Sequence, residues 1–205
     1  PIGCDVPETI ILADGDFPSH PLALEWLRQC PYVVCCDGAA NTYIRSGRMP
    51  EAIVGDGDSL LPDIKERYAS LIHSEAEQET NDLSKAFRFC LSQERKRITI
   101  MGATGKREDH TIGNVSLLAD YMEQAEVSMV TDYGIFVPIR EDSMFESYIG
   151  QQISVFNMNC TALSAEGLAY PLSVFTNWWQ GTLNEALARH FIIRTEGKVL
   201  VFRVF

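Results

Sequence analysis

The sequence predicts an α/β protein, a parallel-sheet portion followed by a smaller all-β portion, and three observations carry that prediction. Over the first two thirds, short runs of β-formers alternate with longer stretches of helical period, as in strands joined by crossover helices. Acidic residues recur where those runs end. From about Ile135 the texture changes to β-formers and turn residues with little helical period. No internal repeat or low-complexity linker separates the two portions, so the boundary, near residues 132–142, is only a change of period.

In order, strands are expected over residues 9–13, 32–36, 52–54, 71–73, 97–101 and 126–131. A helix is expected from Asp82, where Leu83, Ala86, Phe87, Cys90 and Leu91 form one apolar stripe and Thr80 or Asn81 can cap it. A second helix, over residues 109–122, follows a Gly-rich turn and carries Ile112, Val115, Leu118, Ala119 and Met122 at helical spacing. In the last third, residues 153–156 alternate, and residues 190–195 and 199–205 around Glu196-Gly197-Lys198 read as a hairpin.

Composition narrows the function. A chain of 205 residues with 46% hydrophobic residues can bury a core. Its net charge of −11 argues against nucleic acid, because a polymer of phosphates needs clustered Lys and Arg. An anionic ligand would therefore need its charge bridged by metal, whereas a cationic one suits the acidity. The six cysteines show no C-x-x-C pair or zinc spacing and sit mostly in apolar segments, which is expected of a reducing, cytoplasmic compartment. No apolar run reaches the roughly 18 residues of a membrane span and no leader is recognised, so no membrane is expected as a partner.

The most informative stretch is Gly55-Asp56-Gly57-Asp58-Ser59, directly after Ala52-Ile53-Val54. Were it extended, its two carboxylates would leave one face about 6.5 to 7 Å apart. Their repulsion would then be about 2 to 3 kcal/mol at an effective dielectric near 20. A divalent cation removes that repulsion, whereas an isolated Gly-Asp-Gly-Asp reads first as a polar turn after a buried strand. Its company decides: Asp14 and Asp16 follow the first strand and Asp37 the second, each at the end where parallel sheets bind ligands.

Two further segments complement the acids. Gly102-Ala103-Thr104-Gly105-Lys106-Arg107 links a strand to a helix and has the composition of a phosphate cradle, without the spacing of a Walker A or G-x-G-x-x-G loop. Glu77 to Asp82 opens the preceding helix; its acids suit the helix dipole, and Asp82 is read as a metal ligand. Asp109 and His110 open the next helix, where Asp109 reads as a cap or a site residue and His110 as a phosphate donor or a surface residue.

Together these motifs resemble the thiamine pyrophosphokinase (thiamin diphosphokinase) family. The matching pieces are residues 36–41, residues 55–59, residues 78–86 with Asn81-Asp82-Leu83-Ser84-Lys85-Ala86, residues 102–110 with Asn114, and residues 181–185. The resemblance implies a Rossmann-like nucleotide- and metal-binding catalytic domain over residues 1–134, a thiamine-binding β-sandwich over residues 135–205, and a homodimer. It also implies transfer of the β,γ-pyrophosphoryl group of ATP to the thiamine hydroxyl, giving thiamine diphosphate and AMP, with Mg2+ as cofactor. By motif, Asp56, Asp58 and Asp82 would be magnesium ligands. Asp37, Gly38, Asn41, Lys85, Gly102, Thr104, Gly105, Lys106, Arg107 and His110 would form the nucleotide site. Gln78, Asp109, Thr182 and Asn184 would contact thiamine, Asp109 orienting its hydroxyl.

The chain departs from the family pattern at three places. The family's Asp-Gln-Asp with Thr-Asp becomes Glu77-Gln78-Glu79 with Asn81-Asp82, Gly-Gly-Arg becomes Gly105-Lys106-Arg107, and Ser-Asn becomes Leu183-Asn184. Two rival readings remain open at this point. Asp14-Gly15-Asp16 suits a metal-dependent phosphohydrolase, and the altered motif positions suit a non-catalytic binder of nucleotide or thiamine.

Overall fold

The computed structural model describes residues 2–205, and its chain divides into two compact units, residues 6–117 with 124–132 and residues 2–5 with 118–123 and 133–205. The first unit is built on six parallel strands: β1 (Ile10–Leu12), β2 (Val33–Cys36), β3 (Ala52–Val54), β4 (Ile72–His73), β5 (Arg97–Met101) and β6 (Glu126–Val130). Every residue of β1, β2 and β3 is buried, as expected of parallel strands covered on both faces. Their order is β6-β5-β1-β2-β3-β4, with Leu12 in register with Cys35 on one side and Met101 on the other.

The strands lie where the sequence places them, with β1, β2, β4 and β6 shorter by one or two residues. The two expected helices are α4 (Asp82–Ser92) and α5 (Glu108–Tyr121). Asn81 is the cap of α4, accepting the Ser84 N–H at 3.0 Å. Three shorter helices were not expected: α1 (Pro21–Gln29), α2 (Ala39–Arg45) and α3 (Pro62–Arg67). Their starts explain the omission. α1 is capped by His20, an unusual cap, whose Nδ1 accepts the Leu22 N–H at 3.1 Å, while α2 and α3 have no side-chain cap at all.

The second unit is antiparallel. Strands β7 (Gly134–Ile139), β9 (Gln152–Asn157), β11 (Asn184–Glu185) and β13 (Val199–Val204) form one sheet in the order β11-β9-β13-β7. Strands β8 (Ser143–Glu146), β10 (Ala162–Glu166) and β12 (His190–Glu196) form another in the order β10-β12-β8. Their shared core takes Ile153, Val155, Val199 and Val201 from the first sheet and Phe145, Leu163, Phe191 and Ile193 from the second. The rings of Phe145 and Phe191 stack with centroids 5.1 Å apart.

This arrangement corrects the hairpin expected at the C-terminus. β12 pairs with β10 and β8, whereas β13 pairs with β7 and β9, so the chain turns a corner between sheets instead of folding back on itself. The polar groups at the corner bond elsewhere. The Thr195 N–H donates to Asp142 Oδ1 at 3.0 Å, and the Lys198 N–H to Asn159 Oδ1 at 2.6 Å.

Candidate active site

Strand order reverses between β1 and β5, and in open α/β sheets the crevice outside the carboxyl ends of such strands is where ligands bind. The loops that leave β1 and β5 are joined through their backbones. The Gly15 N–H donates to the Gly102 carbonyl at 2.7 Å and the Asp16 N–H to the Thr104 carbonyl at 2.9 Å. Lys106 Nζ donates to the Asp14 carbonyl at 3.0 Å and stands 3.7 Å from Asp14 Oδ1. The N–H groups of residues 103–107 donate to no acceptor among the described residues, so a fan of amide donors precedes α5 beside the Lys106 ammonium.

The acids converge on the same end of the sheet. Asp37, one residue past β2, has φ of 37° and is buried. Burial, chiefly, and the hydrogen bond and charge of Asp56 push its carboxyl up to about 6. Asp37 Oδ1 has no hydrogen-bond partner among the described residues. Gly55, with φ of 141°, lies beneath: a Cβ there would come 3.0 Å from that of Asp37. Gly38 serves Asp14 likewise, since a Cβ there would meet Asp14 Oδ2 at 2.6 Å. Asp14 is itself raised by burial, with Lys106 opposing. Its place after β1 was visible in the sequence; its pairing with Lys106 was not.

Residues 55–59 form a turn, not an extended segment. The Asp58 N–H donates to Asp56 Oδ1 at 2.9 Å, and this bond, before the one with Asp37, holds Asp56 below the usual carboxylate range. Asp82 opens α4 and is raised by burial, with Lys85 opposing and Asp56 and Asp14 adding to the rise. Asp56 and Asp82 thus act on Asp37, and Asp56 and Asp14 on Asp82, while Lys85 lies buried one helical turn from Asp82. Among the described residues, no three His, Cys, Asp or Glu side chains form a ready-made metal cage, so Asp56, Asp58 and Asp82 are not assembled as a trio.

Three asparagines hold these pieces in place. Asn81 Nδ2 donates to Asn114 Oδ1 at 3.1 Å, and Asn114 Nδ2 donates to the Ala103 carbonyl at 3.0 Å, tying the start of α4 to the loop after β5. Asn41 Nδ2 donates to the Ser59 carbonyl at 2.8 Å while its Oδ1 accepts the Leu61 N–H at 3.0 Å. Both polar groups of Asn41 thus brace the loop that carries Asp56 and Asp58. Arg107 and Asp109 form an exposed pair at 2.7 Å, and Asp109 Oδ1 also accepts the His110 N–H at 2.9 Å. His110 and Gln78 are exposed.

The remaining expected residues lie in the antiparallel unit. Thr182 Oγ1 donates to the Trp179 carbonyl at 2.7 Å. Asn184 is buried, with Oδ1 accepting the Tyr170 N–H at 3.1 Å and Nδ2 donating to the Tyr170 carbonyl at 2.9 Å. Leu183 between them has φ of 64° and is 77% exposed, an uncommon backbone for a leucine. Tyr170, Trp178 and Trp179 are exposed around the same stretch of chain.

A parallel α/β unit with acids after its strands, together with an antiparallel unit of two packed sheets, defines a two-unit protein. Two family profiles match it, the thiamin pyrophosphokinase catalytic domain over residues 23–131 and the thiamin pyrophosphokinase substrate-binding domain over residues 134–202. The chain belongs to the thiamin pyrophosphokinase family. It is 30% identical to thiamine pyrophosphokinase 1 of Oryza sativa subsp. japonica over 129 residues, 51% of this chain and 49% of that protein. It is 34% identical to thiamine pyrophosphokinase of Bacillus subtilis (strain 168) over 86 residues, 40% of each. The matches thus span about half the length, or less, of these curated relatives.

Among solved structures, thiamine pyrophosphokinase from Bacillus subtilis superposes with a TM-score of 0.80 at 20% identity, covering 96% of this chain and 98% of that one. Thiamin pyrophosphokinase from Candida albicans does so with a TM-score of 0.78 at 18% identity, covering 97% and 89%. At such identities the likeness establishes the fold. No described helix is long and apolar enough to cross a membrane.

Proposed function

We propose that this chain transfers the β,γ-pyrophosphoryl group of ATP to the thiamine hydroxyl, giving thiamine diphosphate and AMP, with magnesium, as a cytoplasmic homodimer. The observation that carries the reading is a chain of carboxylates linked by charge, Asp37 to Asp56 and Asp82 and Asp82 to Asp14, with Lys106 beside Asp14 and a run of amides that donate to no acceptor among the described residues. Acids alone would repel a nucleotide and basic groups alone would not need a metal; both together suit a metal-bound triphosphate. The cytoplasmic setting rests on the six cysteines, all free and five of them buried.

The donor set fits magnesium. It is a hard ion that keeps several waters and takes one or two carboxylates plus substrate phosphates, so no preformed cage is required. Asp56, Asp58 and Asp82 would hold it, and the partnerless Oδ1 of Asp37 lies beside them. When bound, the ion supplies charge neutralisation to the phosphate oxygens.

The chain's own residues position and neutralise. Amides of residues 103–107 with Lys106 and Arg107 receive phosphate oxygens; Gly38, Lys85, Gly102, Thr104, Gly105 and His110 surround the nucleotide. Asn41 keeps the carboxylate turn in register. The thiamine hydroxyl oxygen bonds to the β-phosphorus as the bond from that phosphorus to the α,β-bridging oxygen breaks and AMP departs with the oxygen; the hydroxyl proton passes to solvent, with Asp109 orienting that hydroxyl. Gln78 and Thr182 contact thiamine, and Asn184 shapes the loop beside Thr182 through Tyr170. Incubation with ATP, magnesium and thiamine tests this: AMP and thiamine diphosphate are expected in equal amounts. ADP or free phosphate in their place would defeat it and favour the hydrolase, while thiamine binding without product would favour the non-catalytic binder.

A further inference from the structure

Residues 74–81, which carry Gln78, belong to no helix or strand, yet Arg88 of α4 bonds to three of them. Arg88 grips Glu75 with two parallel bonds, Nε to Oε1 at 3.2 Å and Nη2 to Oε2 at 3.0 Å. The same Nη2 donates to Glu77 Oε2 at 3.0 Å and to Thr80 Oγ1 at 3.0 Å. Glu77 in turn accepts the N–H of Glu79, the N–H of Thr80 at 2.8 Å and the Thr80 hydroxyl. The loop is thus folded around one carboxylate that one guanidinium holds, with Gln78 exposed in its midst.

We propose that Arg88 is a positioning residue for the acceptor: it fixes the segment from Glu75 to Thr80 so that Gln78 is presented for binding, and it acts on acceptor affinity alone. This rests on the assignment of Gln78 to the thiamine site. The separation from the nucleotide side follows from the bonds. Asp82 is placed by α4 and by its cap Asn81, which is anchored through Asn114 to Ala103 independently of Arg88. Exposed single ion pairs contribute little, but a forked guanidinium shared by three partners is the exception, because its geometry is fixed by several bonds at once. Lysine cannot reproduce the fork.

Steady-state kinetics with hydrogen exchange tests the proposal. Arg88→Ala should raise the thiamine KM about tenfold while kcat at saturating thiamine and the ATP KM stay within about twofold. The Glu79 and Thr80 amides should lose protection in the same variant, and Arg88→Lys should fall between it and the parent. Glu75→Gln, which leaves Arg88 and Glu77 in place, should shift the thiamine KM the same way by less. An unchanged thiamine KM, or an equal rise in both KM values, overturns the positioning role while leaving the transferase reading intact. A parent protein that yields no AMP from ATP and thiamine overturns both.

Discussion

The two units assemble their candidate binding groups in opposite ways. In the parallel unit, charge is gathered at strand ends by backbone geometry: Asp37 in a left-handed conformation over Gly55, Asp14 over Gly38, Lys106 bound to the carbonyl of Asp14. In the antiparallel unit, the corresponding stretch exposes apolar side chains, Tyr170, Trp178, Trp179 and Leu183, on a loop that buried Asn184 pins from below. Mutually repelling acids persist only where the backbone leaves them no retreat or a cation arrives. Exposed rings persist more cheaply, since single exposed apolar groups cost a folded protein little. The contrast suits a donor recognised by charge and an acceptor with flat, partly apolar rings.

Substitutions can break this contrast in order of effect. Asp56→Asn should lower turnover at least about 100-fold, the scale of losing one charge-stabilising group, with little change in thermal midpoint because the side chain is exposed. Ordinary turnover at ordinary magnesium would remove Asp56 from the metal site. Next, Asn184→Ala should cost about 1 to 3 kcal/mol of stability, because the Tyr170 N–H and C=O lose their partner; denaturant titration measures it. A wild-type midpoint with a large rise in thiamine KM would instead make Asn184 a direct contact.

Arg107→Ala should raise the ATP KM by about tenfold, the scale of a charged hydrogen bond, and leave the melting temperature unchanged. A lowered melting temperature with unaltered ATP dependence would assign Arg107 to structure alone. The smallest effect belongs to Glu123, held below its usual range first by the bond from Lys198. A carboxyl whose folded pKa is depressed stabilises above its unfolded value and loses that contribution as pH falls through the folded one. The midpoint of Glu123→Gln should therefore trail the parent slightly at pH 7 and meet it once the pH falls below the depressed folded value of Glu123. A gap that persists in acid would show that the Lys198 and Arg140 bonds do not depend on ionisation.

Much of the parallel unit was legible because its signals are local. A fully buried parallel strand is a short apolar run, and the acid after it marks the end where ligands bind, so Asp14, Asp37 and Asp56 could be placed from the sequence. α1, α2 and α3 were not legible because they are short and lack the usual Ser, Thr, Asp or Asn side-chain cap. The corner between β12 and β13 was misread for another reason: alternation reveals which face of a strand is buried but not which sheet it joins. The bracing roles of Asn41, Asn81 and Asn114 depend on partners distant in sequence, 18 to 33 residues away for the bonds to Ser59 and between Asn81 and Asn114. Likewise, Arg88 reads in the sequence as one more charged residue on a helix.

Under the proposed function, the strand-end acids receive a nucleotide through a divalent cation. Calorimetric titration of ATP into the parent and into Asp56→Asn, each with magnesium and with a chelator, tests it most directly. Tight binding is expected only for the parent with magnesium; equal affinity in the presence of chelator, or in the variant, would rule out a cation held by Asp56.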